Sequence, residues 1–420
     1  MDFAISAVLL IVESNDAVGR VDLSLLHQCV AIREPFSTCR QGFLSQWRMS
    51  PRDAPANSRD YHVPMTRWVG CAAILILAFC VPVAGLSLWA DEGVRPDGWR
   101  QAAPESVGFP PNALEEAVAR FTASSRALTS LVVVKDGFLV YEGYWNGFSA
   151  GEMTALYSAT KSLNPLLMGI AIDRGLLADE FAALETWFSE DTVADPRAWT
   201  ITVQDVLTLR TGFAYDEWTM DHADPDNPYN QWLDAEDRIA YVLSLSMDEE
   251  PGTVFRYQTP ASQLIPRILE EATGRDAVSL AQAWLFDPLG IPEDHVIWRL
   301  DASGHTRVAA CNMVPADLAR IGLLMLQGGQ WDGARIVSAS WIERSLVPRV
   351  TVREGVQFGY HWWLRDARGA QIVGAEGYGG QCLFLVPEYA LVVVTTGDFS
   401  SGPEGAFRLL EDHLLPLLLP

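Results

Sequence analysis

The sequence predicts an α+β domain: an antiparallel β-sheet flanked by helices and completed by the two ends of the chain, with a mainly helical region inserted. Three observations carry this. Leu131-Val132-Val133-Val134 and Phe138-Leu139-Val140-Tyr141 are apolar runs separated by Lys135-Asp136-Gly137, and Asp-Gly readily takes the positive φ of a tight hairpin turn. Near the other end, residues 382–386 and 390–395 repeat the arrangement around Pro387-Glu388-Tyr389. Between the hairpins, apolar residues recur at helical spacing, as in Leu318, Ile321, Leu324 and Leu326 after the start signal Pro315-Ala316-Asp317. A helix over residues 407–415 is expected to cover one face of the sheet. No internal repeat is visible.

With 420 residues, 49% of them apolar, the chain can bury one large core or two smaller ones. A formal charge of −23 argues against a nucleic-acid partner, because a polyanion is repelled at long range.

The front of the chain reads separately. Residues 68–90 are uncharged and apolar, flanked by Arg67 and by Asp91 and Glu92, and long enough to cross a bilayer. Met65-Thr66-Arg67-Trp68 resembles the charged start of a signal peptide, with Val83-Ala84-Gly85 as a cleavage site; a retained anchor helix fits equally well. Residues 65–92 are thus expected to export the chain, or to hold its catalytic part outside the cytoplasm. Residues 1–64 lack a sustained period and are expected to be a disordered extension, or a start-site artefact with Met65 the true initiator. The folded domain is expected over residues 95–420.

Cys29, Cys39, Cys71 and Cys80 lie in or before the apolar segment, so Cys311 and Cys382 leave room for one disulfide and no disulfide framework. The seven histidines show no ligand spacing, and neither a metal nor a cofactor is expected.

Of the 30 lysines and arginines only Lys135 and Lys161 are lysine. In so arginine-biased a chain, Lys161 points to a place where guanidinium would not serve, and a deprotonated amine is such a role: a desolvated lysine can lose its proton and act as a base. Ser158 lies three residues earlier in Tyr157-Ser158-Ala159-Thr160-Lys161-Ser162, before the apolar-periodic Leu163, Leu166, Leu167 and Ile170. On a first helical turn that Ser158 caps, positions i and i+3 share a face, so the amine can reach the hydroxyl. A plain N-cap beside a solvated lysine fits the same residues. Pro165 is expected to remove the hydrogen bond to the Lys161 carbonyl and to kink the helix.

Five segments in order make the chain resemble the β-lactamase-related serine hydrolases, the group of class C β-lactamases, penicillin-binding D-alanyl-D-alanine peptidases, certain esterases and 6-aminohexanoate-dimer hydrolases. They are residues 131–144, the Ser158 block, Ile201-Thr202-Val203-Gln204-Asp205-Val206-Leu207-Thr208-Leu209-Arg210-Thr211-Gly212, Pro288-Leu289-Gly290 with Asp317-Leu318-Ala319-Arg320, and Gly377-Tyr378-Gly379-Gly380-Gln381. The resemblance covers roughly residues 100–418 as one domain and implies a β-lactamase/transpeptidase-like fold with Ser158 as nucleophile and Lys161 as its base. The family's Tyr-x-Asn motif falls on Tyr257-Gln258-Thr259, which keeps the tyrosine and replaces the asparagine by Thr259. A phenol held partly ionised beside an ammonium would relay protons, so Tyr257 is the candidate partner of Lys161; a buried structural tyrosine is the alternative.

The family's third motif, which carries a cation in relatives that bind a substrate carboxylate, aligns with Ala375-Glu376-Gly377. The missing cation disfavours β-lactamase or D-Ala peptidase activity, and the segment resembles the 6-aminohexanoate-dimer-hydrolase branch. By resemblance the backbone N–H groups of Ser158 and Tyr378 form an oxyanion hole, with Gly377 and Gly379 letting the strand edge approach substrate.

Thr259, Trp218 and Tyr229 are further candidates for substrate contact. The last two belong to the aromatic and acidic stretch Trp218, Asp221, Asp224, Asp226, Tyr229, Asn230 and Trp232, which reads either as a cover suited to a substrate amine or as a solvated loop. The expected substrate is a small ester, amide or peptide-like molecule, with membrane contact only through residues 68–90. Two rivals differ in class. Gly147-Phe148-Ser149-Ala150-Gly151 fits the G-x-S-x-G pattern of α/β-hydrolases, but that elbow needs a buried strand directly before it and a helix directly after. A non-catalytic cell-envelope binding module on the same scaffold would bind ligand without acylation. If Met65 is the initiator, N-terminal sequencing of the precursor yields no peptide from residues 1–64; recovering one contradicts it.

Overall fold

The computed structural model describes residues 93–189, 192–220, 224–300 and 306–419. The extension over 1–64, the apolar segment over 65–92 with its anchor at 68–90, and Asp221, His222 and His305 lie outside the described residues. Among those described, no helix is long and apolar enough to cross a membrane.

Ten strands form the main sheet: β1 (Gly93–Val94), β2 (Arg100–Gln101), β3 (Leu128–Lys135), β4 (Phe138–Tyr144), β5 (Val350–Arg353), β6 (Val356–Phe358), β7 (Trp363–Ala367), β8 (Ala370–Gly377), β9 (Gln381–Val386) and β10 (Leu391–Gly397). Their order is β1-β2-β4-β3-β10-β9-β8-β7-β6-β5. All pairs are antiparallel except β2 with β4, so the sheet is mixed at one edge. The expected closure by both chain ends is the β3–β10 ladder, with Val133 opposite Val393. Asp136 and Gly137 both take positive φ, 54° and 82°, which is the backbone that the two-residue turn between β3 and β4 demands.

Both faces of the sheet are buried, which is why its central strands read as unbroken apolar runs. Leu131, Val133 and Val393 face helix α1 (Ala113–Ser124) and the C-terminal segment, where Phe407, Leu410 and Leu414 complete the core. That segment is helical as expected, but as α5 (Pro403–Arg408) widening into a π-helix over Leu409–Leu414. Val132, Val134, Val392 and Val394 face the inserted helices, which include α2 (Leu163–Asp173), α3 (Leu264–Thr273) and α4 (Pro315–Leu326). Helix α4 lies directly on the sheet because Gly322 carries no side chain; a Cβ there would come 2.6 Å from Val392 and 2.7 Å from Leu383. Arg320 on α4 donates to the Leu289 carbonyl at 3.3 Å, joining the two parts of the fourth sequence segment.

Two local expectations need correcting. Ser158 is not a helix cap: residues Tyr157–Ser162 form a 3₁₀-helix with Leu156 at its cap position, and α2 begins only at Leu163. Pro165 therefore stands in the first turn of α2, where a missing N–H is tolerated, and the change from 3₁₀ to α replaces the expected kink. The room left for one disulfide is not used: Cys311, on the strand Thr306–Met313 of a separate three-stranded sheet, and Cys382, on β9, are free thiols buried in different hydrophobic clusters.

Trp341 anchors α2 by donating to the Pro165 carbonyl at 2.7 Å, and Gly169 makes room for its indole, since a Cβ there would lie 2.2 Å away. Trp341→Ala is expected to destabilise the domain by about 3–5 kcal/mol, measured by denaturant unfolding.

Candidate active site

The turn bearing Ser158 is held between two sheets. On one side the Leu156 N–H donates to the Cys311 carbonyl at 2.8 Å, tying the turn to the strand Thr306–Met313 of a three-stranded sheet. On the other side β8 presses against it: a Cβ on Gly377 would stand 2.2 Å from the Leu156 carbonyl oxygen. Gly377 thus makes room for the turn itself. Tyr157, directly before Ser158, takes φ 47°, a left-handed backbone that costs a non-glycine residue about 1–3 kcal/mol and persists only where the surroundings enforce it.

A 3₁₀-helix repeats every three residues, so side chains at i and i+3 eclipse. Ser158 and Lys161 are so related, and Lys161 Nζ stands 2.8 Å from Ser158 Oγ. Lys161 is 3% exposed, and its amine also lies 3.1 Å from the Tyr257 hydroxyl and 4.9 Å from that ring's centre. Burial pulls the amine down to about 8, with the Glu217 carboxylate pulling the other way.

His361 completes the support of this turn. Its Nδ1 lies 3.1 Å from the Lys161 carbonyl, which Pro165 cannot serve as the α-helical donor, so Nδ1 carries the proton and donates. Ser162 Oγ donates to the His361 carbonyl at 2.6 Å. Burial, followed by the charge of Lys161, pushes His361 down to about 3, so the ring stays neutral. In the sequence it is a lone histidine between Tyr360 and Trp362, with nothing to mark it.

Burial raises the Tyr257 phenol well above its ordinary value, Glu217 adds to this, and a hydrogen bond with Ser158 opposes it. These causes favour the protonated phenol, whereas the sequence reading expects a partly ionised one. Its ring is sandwiched by Trp218, stacked at 4.8 Å and 8°, and Trp363 at 6.0 Å and 21°. The next two residues are tied down as well. Gln258 donates to the carbonyls of Phe213 and Tyr215 at 2.9 and 3.1 Å, and Thr259 donates its hydroxyl to Glu217 at 2.6 Å. Trp218 and Thr259 thus both adjoin Tyr257. Tyr229 stands on the helix Pro228–Asp234, tilted against Trp232 at 5.6 Å and packed on the core.

At the third motif Ala375 is buried and offers no cation. The nearby Arg365 is spent on the buried Glu376 at 2.8 Å and on Glu404 at 3.0 Å. Burial still lifts Glu376 to about 7, against the pull of Arg365. Tyr378 follows Gly377, so its backbone lies beside the Ser158 turn, while its exposed ring meets Tyr157 edge-on at 5.7 Å. Gly379 takes φ 74°, which the bend from β8 into β9 requires. Ser149 lies exposed in a turn followed by the short strand Thr154–Ala155 and not by a helix, so the α/β-hydrolase elbow is absent. Among the described residues no group of three or more His, Cys, Asp or Glu side chains could hold a metal ion.

The beta-lactamase family profile matches residues 114–413. The chain belongs to the beta-lactamase family. As a family member it is a serine hydrolase, and curated relatives are hydrolases. It is 27% identical over 297 residues to the 6-aminohexanoate-dimer hydrolase of Paenarthrobacter ureafaciens, covering 64% of this chain and 73% of that protein. It is also 27% identical over 194 residues to the lovastatin esterase of Penicillium rubens, covering 43% of this chain and less than half, 46%, of the esterase. The solved structure of a penicillin-binding-protein homolog from Caulobacter crescentus shares the fold at TM-score 0.58 and 19% identity, over 72% of this chain and 97% of that one.

Gly377→Ala is expected to displace the Ser158 turn, because the added carbon meets backbone that cannot step aside. Labelling of Ser158 by a fluorophosphonate should slow about 10²-fold, the order of loss that follows a misplacement near 1 Å; an unchanged labelling rate contradicts this.

Proposed function

We propose that this beta-lactamase-family enzyme hydrolyses small esters or amides through an acyl-enzyme on Ser158, with Lys161 as base and Tyr257 as proton carrier. The observation that carries the reading is the buried Lys161 amine 2.8 Å from Ser158 Oγ and 3.1 Å from the Tyr257 hydroxyl.

The neutral amine takes the Ser158 proton as Oγ bonds to the substrate carbonyl carbon, and the backbone N–H groups of Ser158 and Tyr378 receive the negative charge on the carbonyl oxygen. On collapse of the tetrahedral adduct, the Tyr257 phenol gives its proton to the departing alkoxide or amine and regains one from the Lys161 ammonium. Water then attacks the acyl carbon, losing its proton to the neutral amine, and the acid departs as Oγ is reprotonated.

Substrate recognition follows from what lines the opening. Trp218, Tyr157 and Tyr378 expose aromatic surface there, and no cation stands at position 375. This supports uncharged acyl groups over a β-lactam or a D-Ala terminus, whose carboxylates need a positive partner. The names of the amide- and ester-cleaving relatives support the same class. A binding module without acylation is disfavoured by a serine and an amine already within hydrogen-bond distance. The apolar stretch over residues 68–90 supports export, with the domain periplasmic or held outside the cytoplasm on an uncleaved anchor.

Ser158→Ala should abolish turnover of short-chain p-nitrophenyl esters or linear amides, whereas Ser149→Ala should leave it intact. Efficient nitrocefin or D-Ala-peptide turnover would contradict the substrate assignment, and a fluorophosphonate that leaves Ser158 unmodified in an intact-mass measurement would contradict the mechanism. Lys161→Arg keeps the charge but cannot give a neutral base, so it should lose about 10²–10⁴-fold in rate. The sign of the pH dependence is fixed: the amine is active when unprotonated, so kcat/KM should rise with pH through about 8.

A further inference from the structure

The site contains a buried acid that no motif singles out. Glu217 is 2% exposed. Its carboxylate accepts both donors of Thr259, the backbone N–H at 2.8 Å and the hydroxyl at 2.6 Å. Thr259 lies two residues beyond Tyr257. Gln258, between them, is bound to the carbonyls of Phe213 and Tyr215, and Thr211 Oγ1 donates to the Gln258 side chain at 2.6 Å. The segments carrying Glu217 and Tyr257 are therefore laced together, and Trp218 adds its stack on the Tyr257 ring.

The hydrogen bonds alone do not call for a charge. A glutamine at 217 could keep the Thr259 N–H on its Oε1 and turn its Nε2 to the hydroxyl oxygen, although the Thr259 hydroxyl proton and the Tyr215 phenol would then lose a carboxylate acceptor. A buried carboxylate is costly to desolvate. What the carboxylate adds is a negative charge bound to Thr259, two residues from Tyr257, whose hydroxyl stands 3.1 Å from the Lys161 amine, and that charge raises the amine and the phenol alike.

We propose that Glu217 is a positioning residue of the hydrolytic site, whose buried negative charge balances the Lys161 ammonium formed during proton transfer and whose grip on Thr259 fixes where the Tyr257 hydroxyl stands. The proposal rests on the reading of Ser158, Lys161 and Tyr257 given above. Other groups face these residues too. Lys161 meets Ser158, Tyr257 and the neutral ring of His361; Glu376 acts on Tyr257; Tyr215, its phenol raised by burial, faces Glu217. Neutralising residue 217 leaves Ser158, His361 and Glu376 as they are, and it lowers the Tyr257 and Tyr215 phenols, which stay protonated because burial is the larger cause of their rise. The attraction of Glu217 lifts the Lys161 amine against the effect of burial, so removing the charge lets that amine fall further.

The test follows the rate at which a fluorophosphonate modifies Ser158 as a function of pH, together with thermal unfolding. In Glu217→Gln the acid limb of the rate profile should move to lower pH, so that the rate at pH 6, relative to its own plateau, exceeds that of the wild type. In Thr259→Val the limb should stay in place while the plateau falls. A Glu217→Gln profile with an unmoved limb would overturn the proposal, whatever happens to the plateau, since damage to structure alone does not raise relative activity in acid. Should Glu217→Gln not fold, Glu217→Asp and Glu217→Asn make the comparison at equal length: the asparagine variant's limb should lie lower, and coincident limbs would overturn the proposal. A wild-type protein left unmodified at Ser158 would instead overturn the hydrolytic reading, and this proposal with it.

Discussion

A lysine amine sealed from water beside a serine hydroxyl is the constraint that the surrounding structure serves. An ammonium with no solvent would be costly, so burial holds the amine near neutrality, at about 8, where it can both accept and return a proton. The geometry follows from helix type. A 3₁₀ turn brings Ser158 and Lys161 into register more directly than an α turn would. The turn is kept by Leu156 on one sheet, Gly377 on the other and His361 beneath, while the left-handed backbone at Tyr157 is strain that these neighbours enforce.

Charge in the site is arranged with the same economy. His361 is neutral and serves only as a hydrogen-bond donor through Nδ1, so it does not compete with Lys161 for a proton. Ala375 offers no cation, and Arg365, one sheet strand away, is taken by Glu376 and Glu404. Trp218, Tyr157 and Tyr378 expose aromatic surface, and of the buried acids Glu376 is paired with Arg365 while Glu217 balances a transient positive charge in our reading.

Much of the fold was legible because its signals are local. The Asp136-Gly137 turn needs residues that tolerate positive φ, and the apolar runs around it belong to strands buried on both faces. Ser158 and Lys161 were legible because a chain with two lysines and many arginines exposes the exception. Other features depend on contacts that no spacing encodes. The capping role expected of Ser158 failed because Tyr157 enters a 3₁₀ turn that tertiary contacts impose, and the burial that raises the Tyr257 phenol is set by Trp218 and Trp363, which lie far from it in sequence. Glu217 was hidden among Asp216, Asp224 and Asp226, and only folding reveals that it is buried against Thr259. Cys311 and Cys382 could be counted in sequence, but which core each enters could not.

The scarcity of lysine also makes the central claim directly measurable. In protein labelled with ¹⁵N at lysine side chains, Lys135 and Lys161 are the two sources of signal over the described residues, and Lys135→Arg assigns them. The Lys161 resonance should titrate near 8. Titration at the ordinary lysine value of about 10.4 would show an amine still charged at working pH, and the proposed base would be lost.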